Sequence, residues 1–362
     1  MAPTNSSRTS HPFFMYDHIQ VQPAAFAEVV TRNRAGLSEL TEKISASRKL
    51  FLVGIGTSYH AAQLGGHLFR IFAPGVPCEV WHSFNFSLHG PTISADDVVL
   101  AVSHRGSKQF TLRALERAKE VGCTTAMITG QGAPPPPMNL DAVYQTVEQE
   151  KSAAHTFSHV GAVGVLAELT RQVVGNGSFS LEMLTETIPA TLAEGLASEK
   201  QMVQWAAEHQ TRRRLWLVGA GPSAVTAQEV ALKIKETSYL QAEGLSVETL
   251  LHGPFQCCEA EDLFVLIGTD QAAQHRMQEL LGMIKAIGAK HVLVTDTAAA
   301  IEEHGTSDTC VVPTVQAPFE SLTSLLPLQL FTYHLALQRG TNPDSFRLDD
   351  PRFAAAMASI NL

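Results

Sequence analysis

The strongest constraint on how this chain folds is that it repeats itself. LFLVGIGTS, beginning at Leu50, returns as LWLVGAGPS at Leu215, with six of nine positions identical at an offset of 165 residues. At the same offset, DVVLAVS from Asp97 faces DLFVLIG from Asp262. The register then drifts by one or two residues: GCTTAMITG from Gly122 matches GAKHVLVTD from Gly288, and the stretch at Asp141 matches one at Asp308. Four matching segments in one order mean two copies of one domain. A length of 362 residues agrees, since it exceeds what one core usually serves.

Each copy alternates short apolar, β-branched runs with helical stretches such as TLRALERAKEVG (Thr111 to Gly122). The runs lack polar alternation, as strands buried on both faces of a parallel sheet do. The fold class is therefore α/β, two tandem doubly wound parallel sheets flanked by helices. We divide the chain into a disordered tail over 1–14, a helical lead-in over 15–47, and a first domain over 48–177. A helical linker over 178–210 begins after Gly175-Asn176-Gly177, followed by a second domain over 211–340 and a tail over 341–362. QGAPPPPMN (Gln131 to Asn139) suits only a surface loop.

With 45% hydrophobic and 17% charged residues, the composition is that of a folded globular protein. A net charge of −9 argues against a nucleic-acid partner, which needs a concentrated basic face. Five cysteines without CxxC pairing imply neither a disulfide framework nor a zinc site. The start, MAPTNSSRTSHP, is no signal peptide, and no apolar run is long enough for a membrane helix. We expect a cytoplasmic protein with no metal, no cofactor and no membrane contact.

In an open parallel sheet, ligands sit where strand ends feed helix starts. Two such loops in the first copy are rich in glycine and hydroxyls: Gly54-Ile55-Gly56-Thr57-Ser58-Tyr59, and Ser103-His104-Arg105-Gly106-Ser107-Lys108. Free N–H groups and hydroxyls at a helix start suit a phosphate. On the plainer reading, the glycines only make the turn and Ser107 only caps the helix. The spacing is not the dinucleotide GxGxxG, because Tyr59 holds the third glycine position.

In the second copy, EVALKIKETSYLQAEGLSVETLLHGP runs from Glu229 to Pro254. After Lys235 it has no lysine or arginine until Arg276. From the residues alone, Glu236 reads as a helix-surface acid and His252-Gly253-Pro254 as a helix stop.

Together, GxGTSY after a strand, SxxG after the next and ExALKxKExSYxxAE…HGP resemble tandem SIS (sugar isomerase) domain proteins, over nearly the whole chain. That family includes the isomerase half of glucosamine-6-phosphate synthase, and amino-sugar-phosphate deaminases, isomerases and fructosamine-6-phosphate deglycases. The resemblance implies a phosphosugar enzyme. Glu236 matches the carboxylate that shuttles a proton between C1 and C2 of the sugar. His252 matches the histidine that opens the ring and enters the site from the neighbouring subunit of a homodimer. Lys233 matches a lysine near the substrate. Gly56, Thr57 and Ser58, with Ser103, His104, Arg105, Gly106, Ser107 and Lys108, occupy the phosphate-binding loops. Glu148 and Ser152 fall in EQEKSAAHTFS, the segment that closes over the sugar. Carbonyl migration independently needs one carboxylate over two carbons, and ring opening needs a group titrating near neutrality, which suits histidine.

Three departures bear on this. The usual S-x-S-G-x-T loop has Arg105 and Lys108 where hydroxyls are common; both cations suit phosphate, a carboxylate or a bulkier anion, and both also suit solvent. The covering segment carries Ala153-Ala154-His155 instead of S-T-K, with His155 read as packed or exposed. The tail has Asn342-Pro343-Asp344 but no lysine, so Schiff-base chemistry there is not expected; Arg347 or Arg352 supplies charge only. No glutaminase half is recognisable, so ammonia from the chain's own glutamine is not expected either. The first expectation is aldose–ketose isomerisation of a hexose or hexosamine 6-phosphate. Amino-sugar-phosphate deaminase or fructosamine-6-phosphate deglycase chemistry is the alternative that the missing lysine favours. A non-catalytic sugar-phosphate sensor is the reading from another class; Glu236 and His252 at the family's separation of sixteen residues, without a DNA-binding domain, weigh against it.

Overall fold

The computed structural model describes residues 8–175, 179–297 and 308–360. Five strands form the first sheet: β1 (Lys49–Gly54), β2 (Cys78–His82), β3 (Asp97–Val102), β4 (Thr124–Gln131) and β5 (Ala142–Glu148). The second contains β6 (Leu215–Gly219), β7 (Ala242–Ser246), β8 (Leu263–Ile267), β9 (Lys290–Thr295) and β10 (Thr309–Val311). The orders are β2-β1-β3-β4-β5 and β7-β6-β8-β9-β10, identical copy for copy. All pairings are parallel. Strands β3, β6 and β8 are buried throughout, which is why their sequences show no polar alternation.

The duplication extends to backbone detail. A Cβ added at Gly54 would lie 2.5 Å from the carbonyl of Ser58, and one at Gly219 would lie 2.4 Å from the oxygen of Ser223. Both glycines therefore let the following helix press against the strand end. Two residues on, Gly56 (φ 56°, ψ −130°) and Gly221 (φ 50°, ψ −127°) share a conformation that side chains resist. The helices Thr57–Phe72 and Pro222–Ser238 start from these turns. At the other end of the sheets, Asp97 accepts from the backbone N–H of Ser94 and pairs with Arg48, while Asp262 accepts from that of Glu259 and pairs with Arg214.

The first core gathers Phe51, Val53, Phe86, Val99, Leu115 and Met127; the second gathers Trp216, Val218, Leu250, Phe264, Leu266 and Leu280. Each copy also has one helix that is buried over most of its length, Phe157–Val174 and Glu320–Gln338. Such all-round apolar helices belong inside a protein.

Two compact units result: Val21–Glu150 with Phe157–Pro189 and Ala358–Leu362, and Met1–Gln20 with Lys151–Thr156 and Ala190–Met357. The lead-in read as one stretch over 15–47 is thus divided after Gln20. Helix Phe14–Gln20 joins the second-copy unit, where the Asp344 carboxylate accepts from the N–H groups of Phe14 (2.8 Å) and Met15 (2.9 Å). Helix Gln22–Asn33 stays with the first sheet, and Arg32 and Asn33 donate to the carbonyls of Thr146 and Gln145 on edge strand β5. Residues 8–13 form no helix, yet they are held: Arg8 lies 4.2 Å over the Phe14 ring and His11 bonds Tyr333 at 2.8 Å. Residues 1–7 of the expected tail, Asn176-Gly177 at the end of the expected first domain and Ser178 at the start of the expected linker lie outside the described residues. The linker is helical over Ile188–Leu196 and Glu199–His209, and the tail ends in helix Pro351–Ala358.

Gly219→Ala should destabilise the protein by about 1–3 kcal/mol through forced separation of strand and helix, and Gly54→Ala should do the same in its own copy. Urea unfolding of both variants measures this, and a loss at only one of the two positions would contradict the equivalence.

Candidate active site

Strand order reverses between β1 and β3, so the crevice at their carboxyl ends is where a doubly wound sheet takes a ligand. Both loops singled out from sequence lie there. Thr57, Ser58, His104, Thr146, Ser158 and His159 line a small cleft of about 10 Å³, room for one water. The Gly56 turn aims the start of helix Thr57–Phe72 at it, and helix Phe157–Val174 contributes Ser158 and His159 from its first turn. Two helix N-termini make this a favourable place for negative charge.

The second loop is tightly held. Ser103 N–H donates to the Ile128 carbonyl (2.9 Å), and the His104 carbonyl accepts from Gly130 N–H (3.0 Å) and the Gln149 amide (2.8 Å). Gly106 (φ 69°) closes the turn, and Ser107 is exposed. Ser103 is buried, and its hydroxyl has no hydrogen-bond partner among the described residues. Arg105 turns to its own chain, donating to the Glu150 carbonyl at 3.1 Å and reaching the Gln149 side-chain oxygen at 3.5 Å. Lys108 is half-buried; burial, then the charge of Arg105, lowers its pKa. Its ammonium makes no hydrogen bond or ion pair with the described residues, and it is the loop's available cation.

Glu148 ends β5 with its side chain exposed. The inward carboxylate is that of Glu150, buried and accepting from Ser158 N–H at 3.0 Å, while its own N–H donates to His104 Nε2 at 3.0 Å. Because a backbone N–H can only donate, that bond makes Nε2 the acceptor and places the ring proton of neutral His104 on Nδ1. Ser152 is buried in the other unit, its hydroxyl 3.5 Å from the Pro343 carbonyl. His155 is half-buried. Glu150, Ser158 and His159 were not anticipated from sequence.

The corresponding crevice of the second copy is built differently. Ser223 and Thr269 hydroxyls bond one another at 2.9 Å, and Asp270 stands where the first copy has Arg105. Nearby, burial raises Glu320 to about 7, helped by Asp270 and Asp296. Such surroundings disfavour an anion.

The chemistry of the second unit lies on helix Pro222–Ser238. Glu229, Lys233 and Glu236 share one face at i, i+4 and i+7. Lys233, 1% exposed, places Nζ 2.5 Å from Glu236 Oε2 and 3.7 Å from Glu229 Oε1. Glu229 is fully buried, whereas the Glu236 side chain keeps 19% exposure, so Glu236 is the member a ligand can reach. Spacing alone could have revealed Glu229. The chain beyond the helix clamps its last turn: Arg339 donates to the Ser238 carbonyl (3.0 Å) and Thr341 to that of Thr237 (2.7 Å).

His252 stands apart from this face. It follows the short helix Val247–Leu251, 75% exposed, with Nε2 3.0 Å from Glu248 Oε2. The structure therefore brings Lys233 and Glu236 together and leaves His252 on the surface. Among the described residues no group of three or more His, Cys, Asp or Glu is placed to hold a metal ion, and no helix is long and apolar enough to cross a membrane.

Comparison with known proteins follows the same lines. The SIS domain family model matches residues 43–167 and 210–339. The glutamine–fructose-6-phosphate aminotransferase (isomerizing) of Thermococcus kodakarensis is 30% identical over 352 residues, covering 94% of this chain and 58% of the relative. That of Chlorobaculum tepidum is 27% identical, covering 91% and 56%. The chain thus spans little more than half the length of the curated relatives it matches. Among solved structures, the C-terminal domain of glucosamine-fructose-6-phosphate aminotransferase from Francisella tularensis aligns with a TM-score of 0.82 at 22% identity, covering 94% of this chain and 99% of that one. Tagatose-6-phosphate ketose/aldose isomerase from Escherichia coli aligns at 0.78 with 17% identity, covering 94% and 96%. Glucosamine-6-phosphate deaminase from Thermotoga maritima aligns at 0.75 with 18% identity, covering 92% and 97%. These structures share the fold.

Lys233→Met removes the ammonium shared by two carboxylates and should cost about 3–5 kcal/mol of stability. Adding Glu229→Gln should restore part of the loss. Urea denaturation of the single and double variants tests this, and equal stability of wild type and Lys233→Met would contradict the buried charge cluster.

Proposed function

The chain belongs to the SIS domain family, and from that premise we propose that it is a phosphosugar enzyme acting on a hexose or hexosamine 6-phosphate by proton transfer between C1 and C2. The observation that carries this reading is the Glu229–Lys233–Glu236 face, in which a partly exposed carboxylate is held 2.5 Å from a buried ammonium. A lysine cation beside it favours the ionised form, which is the form that removes a proton. In the isomerisation, Glu236 takes the proton from C2 of the open-chain aldose to give an enediolate, the O2 proton passes to O1, and the same carboxylate returns its proton to C1 as the C2 carbonyl forms. The ammonium of Lys233 stabilises negative charge as it develops on oxygen.

Ring opening precedes this step. His252 takes the proton of the anomeric hydroxyl, the C1–O5 bond breaks, and the imidazolium gives that proton to O5. Exposure of His252 in the single chain fits a residue that works in the site of a neighbouring subunit. The hydroxyls of Thr57 and Ser58, the two helix N-termini and the ammonium of Lys108 supply a seat for the phosphate. Arg105 has a positioning role in this reading, because its donors are directed to the Gln149-Glu150 segment.

Deaminase or deglycase chemistry remains the alternative within the same class. It uses the same carboxylate to convert the enolamine to an imine, to which water adds to expel ammonia or an amine, and the absence of any lysine after Lys290 in this sequence favours it over simple isomerisation. A panel of hexose, hexosamine and fructosamine 6-phosphates, assayed for ketose and ammonia release, separates these reactions.

Glu236→Gln should slow solvent deuterium incorporation at C1 and C2 of a bound hexose 6-phosphate by at least about 10²-fold while binding stays near wild type. Exchange that persists in the variant would exclude Glu236 as the shuttle. Mixed dimers of Glu236→Gln and His252→Ala chains should recover part of the activity that each lacks. Absence of recovery after verified subunit exchange would mean that each site is completed within one chain.

A further inference from the structure

We infer that Glu248 is a positioning residue for His252, one that fixes the orientation of its ring and selects its tautomer; this rests on the reading that His252 acts on the sugar ring. Both residues belong to one turn. Ser246 starts helix Val247–Leu251, accepting from Thr249 N–H at 3.2 Å, and Glu248 and His252 lie four apart on it. Gly253, at φ 136°, ends the turn directly after the imidazole. The Glu248 carboxylate is held from the opposite side by Arg276 of helix Gln274–Ala286, with Nε 2.5 Å from Oε1 and a terminal nitrogen 3.4 Å from Oε2. Arg276 is itself fixed by Glu279 at 2.7 Å. The plane of the carboxylate is therefore set before His252 meets it.

The consequence for the ring follows from donor chemistry. An ionised carboxylate only accepts, so the 3.0 Å contact places the proton of neutral His252 on Nε2 and leaves the lone pair on Nδ1. Nδ1 is then the atom that takes the proton of the anomeric hydroxyl. Arg276, then His252, keeps the Glu248 carboxyl below its ordinary pKa, so it stays charged wherever an imidazole titrates. Facing the ring's partner are Arg276 and Glu279, with His275 3.8 Å from Glu279. Exposed ion pairs contribute little to folding, so this network has small value for stability alone. Its value lies in orienting a ring that is 75% exposed and would otherwise rotate freely.

The test is long-range ¹H–¹⁵N NMR of the full chain with ¹⁵N-labelled histidine, His252 being assigned by its loss in His252→Gln. Wild type should show the Nε2–H tautomer at high pH. In Glu248→Ala, which removes the acceptor, the Nε2–H population should fall towards that of a free imidazole, and in Arg276→Met it should fall by less, with melting temperatures close to wild type in both. An even mixture of tautomers in wild type, or a tautomer population unchanged in Glu248→Ala, overturns the proposal. The underlying reading fails separately, if His252→Ala retains wild-type deuterium exchange into hexose 6-phosphate, and that outcome is independent of the tautomer result.

Discussion

The close approach of strand end to helix start at Gly54 and Gly219 is the contact on which the rest of each sheet edge depends. With backbone atoms 2.5 Å and 2.4 Å from where a side chain would begin, no other residue lets the helix leave the strand at that angle. That exit places Thr57 and Ser58 at the crevice of the first sheet, and in the second it sets the axis along which Glu229, Lys233 and Glu236 are displayed. One steric requirement, met twice, sets the hydroxyl-lined cleft of one copy and the Glu229–Lys233–Glu236 face of the other.

The two copies have kept the framework and separated the charges. Where the first has Arg105, the second has Asp270; where the first has Gly130, the second has Asp296. The first crevice gathers imidazoles, hydroxyls and a half-buried lysine around two helix N-termini, whereas the second pairs its own hydroxyls and surrounds them with carboxyl groups. Duplicated sites with opposite electrostatics cannot compete for one anionic ligand. The fold's symmetry is therefore architectural, and its chemistry is not.

Much of this was readable beforehand. Parallel strands buried on both faces leave unbroken apolar runs, and the glycine turns that follow them tolerate few substitutes, so the duplication and sheet class were visible in the chain. Glu236 and Lys233 stood out only through the resemblance of their motif to SIS domain proteins, since on spacing alone Glu236 reads as a helix-surface acid. Glu150 did not, because strand periodicity places residues 148 and 150 on the same side; only the end of β5 at Glu148 turns the second inward. Arg105 was misleading for a related reason: its donors meet a carbonyl 45 residues away, a contact no local pattern encodes. The acidic stretch after Lys235 lacks cations in sequence but not in space, since Arg276 returns from the next helix to hold Glu248.

The cap that Asp344 places on helix Phe14–Gln20 has a bearing on synthesis. Its two hydrogen bonds join residues 329 and 330 positions apart, and the Asp344 carbonyl accepts from Ala153 as well. During synthesis, helix Phe14–Gln20 leaves the ribosome 329 to 330 residues before the carboxylate that caps it. The unit containing the first sheet draws on residues 21–150 and 157–189, apart from a short stretch at 358–362, and its sheet can close early. The other unit waits for residues up to Asp344, so helix Phe14–Gln20 stays uncapped while the first sheet forms.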